Sequence, residues 1–182
     1  MDKLKPCVLL SIKPKWCELI ASGKKTVEIR KTKPKIETPF KCYIYCTKQN
    51  VPGEILLTYN KKVEGRNKGF RDNGDIPLAG KVIGEFICDE ISGGYYVRPF
   101  SDTAQKKTCL TYDEIEKYSK GKPLKSWHIS DLVIYDEPKE LREFKKPCQK
   151  TNRCYPDNCN RCGWNILLRP PQSWCYVEEQ ED

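Results

Sequence analysis

The 182-residue sequence contains a single histidine, His128, and no apolar run long enough to cross a membrane. A membrane-spanning helix needs about 20 apolar residues, so none is predicted. A nucleophilic scheme that pairs cysteine or serine with histidine would have to use His128, which lies in no recognisable motif. The loops G-x-x-x-x-G-K-S/T and G-x-G-x-x-G and the motif H-E-x-x-H are also missing. No nucleotide cofactor motif is present, and an ATPase, a dinucleotide enzyme or a metalloprotease lacks support.

The N-terminal residues 1–6 are largely polar, and no apolar stretch of signal-peptide length follows them. We therefore predict a cytoplasmic protein without a secretory signal and without a membrane partner. The length fits one domain, and we predict a single domain that spans residues 1–182.

Eleven cysteines are many for a chain without a secretory signal. In a reducing compartment they are expected to be thiols or metal ligands, and their odd number disagrees with a complete set of disulfides. Five of them lie within apolar segments and are predicted to be small buried hydrophobic residues. They are Cys7, Cys42, Cys46, Cys88 and Cys175.

Four further cysteines cluster in a loop-like segment, residues 147–163, with the spacing C-x5-C-x4-C-x2-C. They are Cys148, Cys154, Cys159 and Cys162. Four thiolates can surround one tetrahedral zinc ion and leave no open position for water, so the spacing predicts one structural zinc. The alternative is a set of unligated thiols, which basic neighbours would make reactive.

The net charge is +8 and the isoelectric point is about 8.9, a moderate basic excess. It is concentrated in two segments, Lys3–Lys35 and Lys145–Cys162. If the fold brings them together, they make one electropositive face of the kind that binds nucleic acid. The alternative is that the charge serves only solubility.

Residues 8–23 predict a strand followed by a short helix. Val8–Ile12 is apolar and rich in strand-forming residues, and Pro14 fits the first turn of a helix. Gly23 stands where a helix commonly ends in a left-handed residue.

From Lys25 onward the pattern alternates with a period of two, which predicts a strand. Glu28 and Arg30 then share one side, roughly 7 Å apart, while Lys25 falls on the side of Val27 and Ile29 at the entrance of the strand. Two cations and a carboxylate could bind a polar, partly anionic ligand. The alternative is an exposed strand with a weak Glu–Arg pair.

The motif G-x-K-x-x-E-x-R, formed by Gly23, Lys25, Glu28 and Arg30, resembles the signature of the ASCH domain family, part of the PUA-like superfamily. The resemblance is close over about the first 35 residues and looser over residues 80–136 and 170–179. It implies a PUA-like barrel. It also implies that a closing segment, which includes Gln172 and Ser173, lies near the motif.

The rest of the chain predicts an α+β protein. Strands are expected at residues 40–47, 80–91 and 127–135, with a turn at Gly93-Gly94 and a long polar loop within residues 48–80. Thr111 and Glu114 form a capping box that opens a helix to about Ser119. One or two helical turns are expected over residues 138–144. Together with the resemblance, this predicts a small mixed or antiparallel β-barrel of PUA-like type, with a few short helices and the Cys-rich loop.

Three functions fit these residues. The first is binding of RNA or another single-stranded nucleic acid in a basic cleft, for which Trp127 is either a stacking platform or a core residue. The second is hydrolysis of a modified nucleoside or of RNA, with Lys25 and Glu28 as catalytic residues. The third is sequestration of a nucleoside or small nucleotide. The candidate ligand-binding residues are Lys13, Lys25, Glu28, Arg30, Trp127, Gln172 and Ser173.

The resemblance bears on the second function. In the amidohydrolases that resemble this chain, a lysine at the position of Lys25 acts together with a threonine at the position of Glu28. The lysine is present here, but the threonine is replaced.

Overall fold

The computed structural model describes residues 6–48, 58–59, 76–95, 101–147 and 165–180. Its elements are β1 (Cys7–Ile12), α1 (Pro14–Ala21), β2 (Val27–Arg30), β3 (Phe40–Cys46), β4 (Thr58–Tyr59), β5 (Ile76–Pro77), β6 (Lys81–Cys88), β7 (Ile91–Tyr95), α2 (Asp102–Thr108), α3 (Tyr112–Ser119), β8 (Leu124–His128), β9 (Ser130–Glu140), a 3-10 turn (Leu141–Glu143) and β10 (Trp174–Val177).

These strands form two main sheets and a short ribbon. The larger sheet has the order β10-β1-β3-β6-β9, in which β1 and β3 are parallel and the other neighbours are antiparallel. The smaller sheet has the order β2-β8-β7, and β4 pairs with β5. The predicted α+β class is confirmed. The barrel is not, because among the described strands β10 and β9 lie at opposite edges of an open sheet.

Both faces of the larger sheet are covered, which explains the continuous apolar run of β1. Val8 and Leu10 face a core that includes Trp127 of the smaller sheet. Leu9, which points the other way, packs in a second core with Phe144 from the segment after β9. A strand that is buried on both sides carries no polar alternation.

The segment predicted as one strand over residues 127–135 is two strands. The chain leaves the smaller sheet after His128 and enters the larger sheet at Ser130. The strand β9 then continues through Pro138, where helical turns were expected, and only Leu141–Glu143 is helical. An edge strand tolerates proline because its outer N–H groups have no ladder partner, and β9 is an edge strand.

The capping box is confirmed: the Thr111 side chain accepts from the Glu114 backbone, and the Glu114 side chain accepts from the Thr111 backbone. Helix α2, in contrast, was not predicted. Its sequence is polar, and only Ala104 and Thr108 are buried, so it carries little amphipathic signal. Among the described residues, no helix has the length and apolar character needed to cross a membrane.

The predicted turn at Gly93-Gly94 is wrong. Both glycines lie inside β7, which pairs with β8 through an irregularity between Gly93 and Tyr95. A glycine inside a strand commonly marks such a bulge, so the same residues fit either structure.

Four of the five cysteines predicted to be buried are buried, namely Cys7, Cys42, Cys46 and Cys88, while Cys175 is half-buried. Burial raises the pKa of the Cys7 thiol to about 11 and holds the pKa of the Cys42 thiol well above its ordinary value. These thiols therefore stay protonated at neutral pH, and the protonated form is a poor nucleophile.

Alkylation of the native protein should consequently separate the cysteines by burial. We expect iodoacetamide to label Cys109, which is partly exposed, long before Cys42 or Cys17. Peptide mass spectrometry at timed intervals measures this, with urea-unfolded protein as the control in which all three react together. Equal labelling of Cys42 and Cys109 in the native state would contradict the burial described here.

Candidate functional site

The turn between α1 and β2 positions the first residue of the motif. Pro14 occupies the start of α1, and Ser22 caps its C-terminal end. Gly23 follows with a left-handed φ of +72°. The Lys25 N–H then donates to the Leu19 carbonyl at 2.9 Å. Lys25 is thus held against the end of α1, before the strand begins at Val27.

The Lys25 side chain is buried, with 1% of the residue exposed. Its Nζ donates to the Thr108 carbonyl at 2.7 Å and lies 3.3 Å from Glu28 Oε2. It also lies 5.3 Å from the centre of the Trp16 ring. Because Thr108 is the last residue of α2, the helix that sequence reasoning missed supplies the carbonyl that fixes this ammonium group.

Glu28 connects Lys25 to Arg30. Its Oε1 lies 3.2 Å from Arg30 Nε, as an ion pair without an aligned hydrogen bond. Arg30 Nη2 donates to the Ser11 carbonyl at 2.8 Å, and Nη1 lies 3.4 Å from both the carbonyl and the hydroxyl of Ser173. Glu28 and Arg30 are each 7% exposed. The motif is therefore a buried triad of charges and not an exposed strand face.

A cavity of about 420 Å³ lies over this triad. Its floor is formed by Lys25, Glu28 and Arg30 and includes Ser11 at the end of β1. This volume lies within the range typical of small-molecule sites. The cavity thus combines a charged floor with room for a small aromatic group.

The walls of the cavity are apolar and aromatic. Ile12, Ile29 and Leu110 contribute aliphatic surface, while Trp16 and Tyr118 contribute rings. Trp16 comes from α1 and Tyr118 from α3, so two helices supply aromatic surface to one cavity.

Charged side chains line the cavity around these walls. Lys13 and Lys117 are exposed, and Glu114 forms an ion pair of 3.5 Å with Lys15, which links α1 to α3. Cations outnumber carboxylates here as they do on the floor. The cavity therefore favours an anionic or acceptor-rich ligand.

Tyr118 was missed by sequence reasoning. It is 38% exposed, the Lys31 ammonium lies 4.9 Å from its ring centre, and partial burial raises the pKa of its hydroxyl. The capping box correctly predicted its helix. The packing of that helix beside the motif strand depends on contacts distant in sequence, which no local pattern reports.

The structure gathers most of the predicted ligand-binding residues but not all of them. Lys13, Lys25, Glu28 and Arg30 line the cavity, and Ser173 contacts Arg30. Gln172 is exposed and does not line the cavity.

Trp127 lies in the core. Its ring is 0% exposed and packs 5.8 Å from Phe40 and 6.2 Å from Trp174, between ring centres. A stacking platform needs an accessible face, which Trp127 lacks. His128 lies outside the cavity as well, with Nδ1 2.7 Å from Asp89 Oδ1.

The four clustered cysteines lie outside the described residues. They are Cys148, Cys154, Cys159 and Cys162. Within the part of the chain that the structure describes, no group of three or more His, Cys, Asp or Glu side chains is placed to hold a metal ion. The zinc site stays a prediction, as does a catalytic role for Lys25 and Glu28.

The family model for the ASCH domain matches residues 10–147 of this chain. The chain belongs to the ASCH domain family. The match includes the motif, the helices α1, α2 and α3, and the strands from β2 to β9. The comparison with curated proteins gave no match.

Solved ASCH structures from Zymomonas mobilis are similar to this ASCH chain. One is 19% identical over 95% of this chain and 88% of that chain, with a TM-score of 0.58. A serine-to-alanine variant is 18% identical over 98% and 92%, with a TM-score of 0.59. A tyrosine-to-phenylalanine variant is 20% identical over 74% and 76%, with a TM-score of 0.51. At these identities the likeness supports the fold alone.

Proposed function

We propose that this ASCH protein binds single-stranded RNA by taking one unstacked nucleotide into the cavity above Lys25, Glu28 and Arg30. The observation that carries the proposal is the buried triad, which places two cations and one carboxylate beneath an aromatic-walled cavity. Single-stranded RNA is commonly recognised through splayed-out bases, which stack on aromatic side chains and form hydrogen bonds along their edges.

The charge balance of the floor supports a ligand with acceptor oxygens. Moving ions out of water is costly, and an unbalanced buried charge is retained mainly where it serves a site. Two cations and one carboxylate leave one net positive charge beneath the cavity. An oxygen of a base or of a phosphate would complete this arrangement when the ligand enters.

The aromatic walls favour a nucleobase as the group that enters the cavity. Trp16 and Tyr118 both line the cavity, and Tyr118 is partly exposed. Stacking of a base on an aromatic ring contributes about 1–3 kcal/mol in single-strand recognition. In this proposal Trp16 and Tyr118 supply the stacking surface for which Trp127 was one candidate.

The exposed cations around the cavity support a polymer over a free nucleoside. Lys13 and Lys117 line the cavity, and the ammonium groups of Lys15 and Lys31 lie over the rings of Trp16 and Tyr118. Lysines that neutralise backbone phosphates release counterions, which makes affinity fall steeply with salt.

The test is binding of a fluorescent single-stranded RNA by Arg30→Ala, followed by anisotropy. We expect affinity to fall about tenfold or more, because a hydrogen bond to a charged group contributes about 1.5–3 kcal/mol. The fold should survive, since Lys25 and Glu28 remain as a balanced pair. Circular dichroism checks this.

The matched control is Lys24→Ala, which removes an exposed neighbouring cation that does not line the cavity. Tyr118→Leu is the second variant, and it should weaken binding while Tyr118→Phe retains it. Equal RNA binding by wild type and Arg30→Ala, or an affinity that does not change with salt concentration, would overturn the proposed function.

A further inference from the structure

The acceptor groups on the cavity floor each face a cation or a donor. Glu28 is held in ion pairs on both sides, with Oε2 3.3 Å from Lys25 Nζ and Oε1 3.2 Å from Arg30 Nε. The Thr108 carbonyl accepts from Lys25, and the Ser11 carbonyl accepts from Arg30. The Ser173 carbonyl accepts from the Ser11 backbone at 2.9 Å.

The donors are not all used. A lysine ammonium carries three hydrogens and an arginine guanidinium carries five. Lys25 has two close oxygen partners, the Thr108 carbonyl and Glu28, and its ammonium also lies 5.3 Å from the centre of the Trp16 ring. Arg30 Nη1 has only long contacts of 3.4 Å, both to Ser173. The Ser11 hydroxyl donates to the Pro171 carbonyl at 2.6 Å and is occupied. The floor therefore offers hydrogens to a ligand much more readily than it accepts them.

We propose that the cavity selects guanine, with the N7 and O6 edge of the base directed at the free donors of Lys25 and Arg30. This inference rests on the proposed function and specifies its ligand. Guanine presents two acceptors side by side on that edge, whereas adenine pairs one acceptor with an amino donor and cytosine presents an amino donor. An amino group directed at this floor would meet cations and engaged acceptors.

The carboxylate then has a positioning role. Glu28 holds Lys25 and Arg30 on either side of it and does not read the base itself. With a cation against each of its oxygens, the carboxylate gives little preference to an amino-bearing edge.

The test compares short single-stranded RNAs that carry one variable base in an oligocytidine background, in which the other bases present an amino donor. We expect guanine to bind about tenfold or more tightly than adenine or cytosine, because each charged hydrogen bond lost costs about one to two orders of magnitude in affinity. Replacing guanine by 7-deazaguanine, which lacks the N7 acceptor, should cause a loss of the same order. Inosine, which keeps N7 and O6 and lacks only the amino group, should bind like guanine.

The protein variant for this test is Arg30→Lys, which keeps the charge and removes the planar fork. We expect it to retain salt-dependent RNA binding and to lose most of the preference for guanine. The inference would be overturned by binding that depends on Arg30 but favours adenine or cytosine, or by affinity that stays the same when 7-deazaguanine replaces guanine. Either result would leave the proposed function standing. An absence of Arg30-dependent binding to every RNA would overturn the proposed function itself.

Discussion

Replacing Glu28 by glutamine should lower the free energy of unfolding by about 3–5 kcal/mol, the range found when one member of a buried ion pair is removed. The substitution hardly changes the shape of the side chain. It leaves Lys25 and Arg30, which are 1% and 7% exposed, as two buried cations without a carboxylate between them. Urea unfolding, followed by circular dichroism, measures the effect.

Two comparisons make this result specific. Glu18→Gln removes an exposed carboxylate on α1 and should leave stability close to that of wild type. Adding Lys25→Met to Glu28→Gln removes one of the two unpaired cations, so the double variant should recover part of the lost stability. If Glu28→Gln unfolds like Glu18→Gln, the triad is not the buried, coupled unit described here.

The motif itself could be identified from sequence because its members are close in the chain. Glu28 and Arg30 lie on the same side of β2, as alternation predicts. The position of Lys25 was predicted less well. Alternation placed it with Val27 and Ile29, but the strand begins only at Val27, and the flexible lysine side chain reaches Glu28 from outside the strand.

The remaining walls of the site could not be read from local patterns. The carbonyl of Thr108 comes from a polar helix that carries little amphipathic signal, and Tyr118 lies on a helix distant in sequence from the motif. The same limit applies to Trp127. A tryptophan in a strand is compatible with a core position or with a stacking platform, and only the packing of the two sheets around Trp127 shows that it is a core residue.

The structure gives a specific reason for the glycine at position 84. Gly84 pairs with Ile134 across β6 and β9, between two irregularities in the register. A Cβ at Gly84 would lie well inside contact distance of the Val133 carbonyl oxygen, and 3.1 Å from the Ile134 Cα. Both are backbone atoms, so no side-chain rotation can relieve the overlap.

Gly84→Ala should therefore destabilise the protein by about 3 kcal/mol, the upper end of the usual range for overpacking. The matched control is Gly93→Ala in β7, where the nearest atom to a new Cβ is the Lys125 Nζ at 3.0 Å. That atom ends a flexible side chain that can move away, so Gly93→Ala should lower the free energy of unfolding much less. Because β6 and β9 contribute no residue to the cavity lining, Gly84→Ala should still bind RNA at temperatures where it remains folded. Equal urea midpoints for the two alanine variants would mean that β6 and β9 approach less closely at Gly84 than the structure indicates.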